Sequence, residues 1–193
     1  MEHMINGIFP IPVYITHRES DLDSIEEKDV NDILKDGIEK KKVQWWGRIS
    51  TNSYIFDTKL KKIKEFCEQH IETYVEKIIN PKEKLNFYIT QSWLTYVKPG
   101  EGYKRHFHSN SIISGVFYIS VGENDKIRFY DAMTLQKEKS KFENLEYNLW
   151  NSASWSFKIN SVNSFRLPKV PFTKVLNDIE ILSVVAFSFG STL

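Results

Sequence analysis

Two histidines one residue apart, His106 and His108, are the residues of this chain best suited to chemistry. On an extended backbone, residues i and i+2 project from one face, so both imidazoles can converge on a single point. Neutral imidazole is the commonest side-chain metal ligand, and two at a strand mouth supply half of a coordination sphere with little backbone adjustment. The competing reading leaves both rings hydrogen-bonded inside a cavity that holds no metal. Arg105, just before His106, points the other way if alternation holds and is expected in solvent. A second pair, Cys67 and His70, has no companion cysteines and so makes no zinc signature.

The elements that must position the histidines follow from hydrophobic period. Asp21 to Lys42 reads as a helix, with Ser24 and Glu27 as a capping box and Ile25, Val30, Ile33, Leu34 and Ile38 near one stripe. The lysines of Lys40 to Lys42 suit its end, where cations complement exposed carbonyls. Trp45 and Trp46 open a loop-rich segment and cover the edge of a core. Asp57 to Ile79 reads as the strongest helix, with Leu60, Ile63, Cys67, Ile71, Tyr74 and Ile78 on one face and Pro81 as its stop.

After Pro81 the period changes to two. Phe87, Ile89, Gln91, Trp93, Thr95 and Val97 are expected on one strand face, with Tyr88, Thr90, Ser92, Leu94 and Tyr96 on the other. Pro99, Gly100 and Gly102 turn the chain toward the histidines. Ile112 to Val121, Lys126 to Tyr130, Ser154 to Ile159, Asn163 to Leu167 and Leu182 to Phe189 are further strands, with Gly122 to Asp125 as a turn. Met133 to Asn151 reads as a loop or irregular insert. Ile8 to Ile15 is an extended piece that Pro10 and Pro12 confine to a sheet edge. Helices first and strands after predict an α+β chain, its helices packed on one face of an antiparallel sandwich. Gly115 within the Ile112 to Val121 run suits close packing or a bulge, while Phe117, Ile119 and Val121 are expected in the core.

A length of 193 residues suits one domain, 1–193, with a core large enough to need no disulfide or metal staple. Lys+Arg number 26 and Asp+Glu 25, so no global field draws the chain to nucleic acid or an anionic membrane. Aromatic residues make up 14%, suiting a β-rich core or a ligand cavity. The single cysteine excludes an intramolecular disulfide framework and fits a reducing compartment. With no signal-peptide pattern and no apolar run of the roughly 18 to 20 residues that cross a bilayer, a cytoplasmic location is expected.

The stretch from Ile89 to Ser120 resembles the uncharacterised 2-oxoglutarate and Fe(II)-dependent oxygenase-like proteins common in tailed phages and marine bacteria. The residues that carry the likeness are Ser92-Trp93-Leu94, Pro99-Gly100, His106-Phe107-His108-Ser109-Asn110-Ser111 and Ser114-Gly115-Val116-Phe117-Tyr118. Phe9-Pro10 and Thr51-Asn52-Ser53-Tyr54 extend it toward the N-terminus. The resemblance implies a double-stranded β-helix, a jelly roll with the N-terminal helices on one sheet. It also implies Fe(II) on His106 and His108, 2-oxoglutarate as cosubstrate, and Trp93, Tyr96 and Tyr118 as candidates for the cosubstrate's surroundings. For a phage-encoded chain it implies the host-cell cytoplasm or a virion.

The C-terminal half of the family's pattern is altered here. A distal histidine is expected after a Phe-Pro-Ser segment, yet the corresponding Leu167-Pro168-Lys169-Val170-Pro171-Phe172-Thr173 ends in threonine, and no histidine follows His108. Leu182 stands near the position of the arginine that pairs with the far carboxylate of 2-oxoglutarate. Lys169, Lys174 or Arg166 could supply a replacement cation, and Asn110 or Asp131 a replacement ligand. The first reading is therefore an oxygenase-like protein with an incomplete metal and cosubstrate site and an unknown substrate. The alternative is a catalytically inactive jelly roll used for binding or assembly, with a second copy or virion proteins as partners. A cupin is a third reading: Gly100 and His106-x-His108 fit its opening, but Ile112 and Ile113 stand where its glutamate is expected.

Overall fold

In a computed structural model, the protein is described at Met4 and at residues 11–36, 38–39, 48–83, 85–97, 102–103, 105–106, 108, 111–122, 124–130, 154–159 and 182–192. For residues 38–39, 48 and 182–192 the description is of backbone alone.

The first helix, α1 (Ser24–Lys35), starts one residue earlier than the Ser24 cap predicts. The Asp23 carboxylate accepts from the backbone N–H groups of Ile25 and Glu26, both at 2.9 Å, and Glu26 accepts from the Asp23 N–H at 3.0 Å. This capping box satisfies donors that the first turn would otherwise orphan. The one-residue shift turns Glu26 inward, 2% exposed, and Ile25 outward, 66% exposed, reversing the expected stripe at that end. Arg18 makes the buried carboxylate tolerable by a two-pronged ion pair at 2.7 and 3.0 Å. Val30 and Ile33 are buried as expected, while Ile38 has left the helix for strand β1 (Ile38–Glu39).

A 3-10 turn, Ile55–Asp57, precedes α2 (Lys61–Tyr74), so the second helix, unlike the first, starts later than expected. Leu60 holds the left-handed conformation, φ 56°, and its N–H donates to Asp29 of α1 at 2.7 Å. One helix thus caps the next. A π-helical turn, Val75–Ile79, follows, and left-handed Asn80 ends it ahead of Pro81. The wider turn rotates the stripe: Ile63, Cys67 and Ile71 are buried, but Ile78 is 47% exposed.

Five strands form an antiparallel sheet in the order β1, β2 (Arg48–Ser50), β3 (Asn86–Val97), β7 (Leu182–Thr192), β4 (Ile113–Ser120). Two more, β5 (Lys126–Tyr130) and β6 (Ser154–Lys158), form a separate antiparallel pair. The turn into β5 is closed by Gly122, whose N–H donates to the Asp125 carboxylate at 2.7 Å. The α+β expectation therefore holds at the level of mixed helices and antiparallel sheets. Ile11 to Ile15, predicted as extended edge, joins no ladder among the described residues. Trp45, Trp46, the 133–151 insert and the expected strand 163–167 lie outside the described residues.

Unbroken alternation along β3 is corrected by a bulge. The register with β7 slips between Ile89 and Gln91, leaving Thr90 as an extra residue. Phe87 and Ile89 pack on the core before it, and Ser92 and Leu94 face the core after it. A single core cluster then joins Val30 and Ile33 of α1, Ile55 and Phe56, Leu60, Ile63, Cys67 and Ile71 of the α2 region, Leu94 of β3, and Phe117 and Ile119 of β4. Ser92 ties the layers together, its hydroxyl accepting from the Phe56 N–H at 3.0 Å. Both helices lie on this one side of the sheet, and Trp93 is turned to the other.

Candidate metal centre

The ladder sets the second face row by row. Trp93, Ala186 and Val116 are opposed in register across β3, β7 and β4, as are Gln91, Ser188 and Ser114, and Thr95, Val184 and Tyr118. Residues directly opposed share a face. Trp93, Ser114, Val116 and Tyr118 therefore stand together on the side away from the helices. Tyr96, two residues beyond Leu94, stands on the helix side and is buried at 7% exposure. Of the three candidates for the cosubstrate's surroundings, Trp93 and Tyr118 share a face and Tyr96 does not.

His108 reaches this face just before β4 begins. Its ring meets Trp93 edge-on with centroids 5.2 Å apart, and its Nδ1 lies 3.1 Å from the Ser114 hydroxyl. His106 is beside it, ring centroids 5.3 Å apart and planes tilted by 43°, with Tyr103 next in line at 6.3 Å. Imidazoles bound to one first-row metal through bonds of about 2.1 Å have ring centres roughly 4.5–5.5 Å apart when they are neighbouring ligands. The spacing of this pair falls in that range.

The hydrogen bonds around Ser114 also fix which nitrogen of His108 carries its proton. Ser111 donates to the Ile113 carbonyl at 2.5 Å, and Ser114 donates to the Ser111 hydroxyl at 3.2 Å. A carbonyl only accepts, and each serine has one proton to give. Ser114 can then only accept from His108, which puts the hydrogen on Nδ1 and makes Nε2 the unprotonated nitrogen. A partner on the remaining ring nitrogen is how metal-binding histidines are held in tautomer and orientation. Ser111 and Ser114 belong to the motif, but no role for them follows from the sequence, because their approach to His108 depends on the turn between them.

Electrostatics favours the neutral ring. Partial burial lowers the His108 pKa from its ordinary value, and the nearby His106 lowers it further. Tyr118 is pushed up, first by burial and then by the Asp125 carboxylate, and stays a protonated phenol at neutral pH. Arg105, expected in plain solvent, lies over the Tyr130 ring at 4.9 Å and so couples the histidine segment to β5. Burial pushes the Cys67 thiol far up, which leaves it an inert core side chain.

Among the described residues no group of three His, Cys, Asp or Glu side chains could hold one ion. Asn110 and Asp131, the replacement ligands, and Thr173, Arg166, Lys169 and Lys174 lie outside the described residues. Leu182 is described through its backbone, where it pairs with Val97 at one end of β7. The residues present thus fit the two-histidine half of an iron site.

A family model described as Putative 2OG-Fe(II) oxygenase matches residues 91–158. The matched stretch takes in Trp93, both histidines, Ser111, Ser114 and Tyr118. No curated protein matches the chain. No described helix is long and apolar enough to cross a membrane.

Proposed function

We propose that the protein is an Fe(II) and 2-oxoglutarate-dependent oxygenase-like protein, a single jelly-roll domain whose iron ligands include His106 and His108. The observation that carries this reading is the adjacent imidazole pair, one ring held by Ser114 at its Nδ1, inside the stretch that matches the oxygenase family. Bound Fe(II) would supply the dioxygen chemistry that no side chain can perform. The chain's own residues have narrower tasks. His108 and His106 present ring nitrogens, Ser111 and Ser114 keep the His108 ring in register, and Trp93 packs against that ring and shields it. Tyr118, protonated, offers a hydrogen-bond donor on the same face to a carboxylate or carbonyl.

Anaerobic titration with Fe(II) or Mn(II) in the presence of 2-oxoglutarate is expected to show saturable binding, followed by succinate release when oxygen is admitted. Binding without succinate release would favour the inactive jelly roll, for which Thr173 and Leu182 at the expected histidine and arginine positions are the supporting observation. No binding at millimolar ligand would end the oxygenase reading.

A further inference from the structure

A cavity of about 630 Å³ lies along the outer edge of β4, walled by α2, β4, the β5–β6 pair and the Pro12 to Arg18 segment. Its volume is in the range of small-molecule sites. We propose that it binds an amphipathic organic acid: an apolar body with a carboxylate at one end.

The apolar half of that statement comes from the walls. Phe66, Ile71, Phe117, Ile127 and Phe157 line the cavity, and Ile112 and Ile15 at its borders are 59% and 56% exposed. A protein that leaves several large apolar side chains around one opening bears a solvation penalty that an apolar ligand would remove. The wall made by Pro12 to Arg18 is fixed by side chains and by no ladder among the described residues. Tyr14 and Thr16 both bond the His70 ring, at 2.9 and 3.4 Å, and that ring packs on Phe66 at 4.4 Å. The segment is therefore part of the container.

The acid half comes from charge. The described lining residues include Arg18, Lys158, His17 and His70 and no aspartate or glutamate. Arg18 is neutralised by Glu26, whereas Lys158 makes no ion pair with a described residue. Lys158 gives an anionic head a complementary partner among the lining residues, and a described carboxylate nearby, Asp125, already accepts from the Gly122 N–H. Ser114 lies in the cavity wall and also bonds His108, so the cavity and the imidazole pair have one residue in common. As a substrate pocket the cavity rests on the oxygenase reading; as a binding site it does not.

The test is calorimetric titration of the full chain, without metal, with decanoate, decan-1-ol and decylamine, each below its micelle concentration. Decanoate is expected to saturate at one per chain and to bind about tenfold tighter than decylamine. Val116→Trp, which fills the mouth, should weaken decanoate by at least about tenfold, and Lys158→Met should weaken decanoate while leaving decanol unchanged. Should Val116→Trp disturb folding, as judged by circular dichroism, Ile15→Asp on the exposed segment provides a second block that should penalise decanoate more than decylamine. Absence of saturable decanoate binding, equal binding of decylamine, or blocked variants that bind like the parent would each overturn the proposal. Decanoate binding without any metal binding would overturn only the oxygenase reading.

Discussion

Phe117 and Val116 are neighbours on β4, yet the first is 8% exposed beneath the helices and the second 40% exposed on the histidine side. The helix side is closed by apolar packing and by polar ties that each satisfy a buried group: Arg18 on Glu26, Asp29 on the Leu60 N–H, Ser92 on the Phe56 N–H. On the histidine side the polar groups do a different job. Ser111, Ser114 and His108 form a chain of hydrogen bonds that orients the His108 ring rather than satisfying a buried core group. One face is built for stability and the other carries the proposed site at some expense of burial, a division expected where a site is carried on a rigid scaffold.

The strongest way to break this division is to attack the helix side. Arg18→Ala strands the buried Glu26 charge and is expected to lower the unfolding free energy by about 3–5 kcal/mol, read by urea denaturation. Adding Glu26→Gln should recover a large part of that loss. Leu94→Ala should cost about 2–5 kcal/mol by the same measurement, with both histidine variants close to the parent.

On the histidine side the ranking reverses. His108→Ala is expected to weaken Mn(II) or Fe(II) binding by more than about 100-fold, since direct ligands matter more than the partners that support them. Ser114→Ala should weaken it by about 10 to 100-fold while the urea midpoint barely moves. A comparable loss of stability in these variants would erase the contrast between the faces.

The pH dependence sharpens the same contrast. A ligand histidine must be neutral, and the pKa of His108 lies below its ordinary value, so metal affinity should persist somewhat below the usual histidine range before protons displace the ion. For folding the sign is opposite in consequence. The unfolded chain takes up the His108 proton first as pH falls, so stability is intact above the ordinary histidine pKa and declines below it. His106→Ala removes the charge that assists burial, and the His108 pKa followed by NMR should rise. The smallest effect is expected at a helix end remote from both faces: Asn80→Ala, in a left-handed position with φ 45°, should cost about 1 kcal/mol.

How far the sequence could be read depended on whether a feature was local. The strands β4 and β5, the buried stripe of α2 and the turn at Gly122 to Asp125 follow from short-range period and turn chemistry, and they occur where expected. The start of α1 was missed by one residue because Asp23 and Ser24 are both good caps. The choice is decided by Arg18, which neutralises Glu26 once that carboxylate turns inward. The Thr90 bulge had no signal at all: alternation continues through it in the letters, and only pairing with β7 shows which residue is extra. The histidine pair was legible as a motif. The serine relay was not, because Ser114 bonds His108 across a chain reversal that spacing alone does not define.

β7 lies between β3 and β4 in the main sheet, with Asn86 of β3 pairing Thr192 at one end and Val97 pairing Leu182 at the other. A nascent chain leaving the ribosome can gather α1, α2 and β3, but β3 and β4 stay unjoined until their late-synthesised divider arrives. Such distant pairings fold slowly and leave strand edges bare meanwhile. Premature termination before Leu182 would therefore yield an aggregation-prone fragment, and chaperone demand should track the time taken to translate the stretch between β4 and β7.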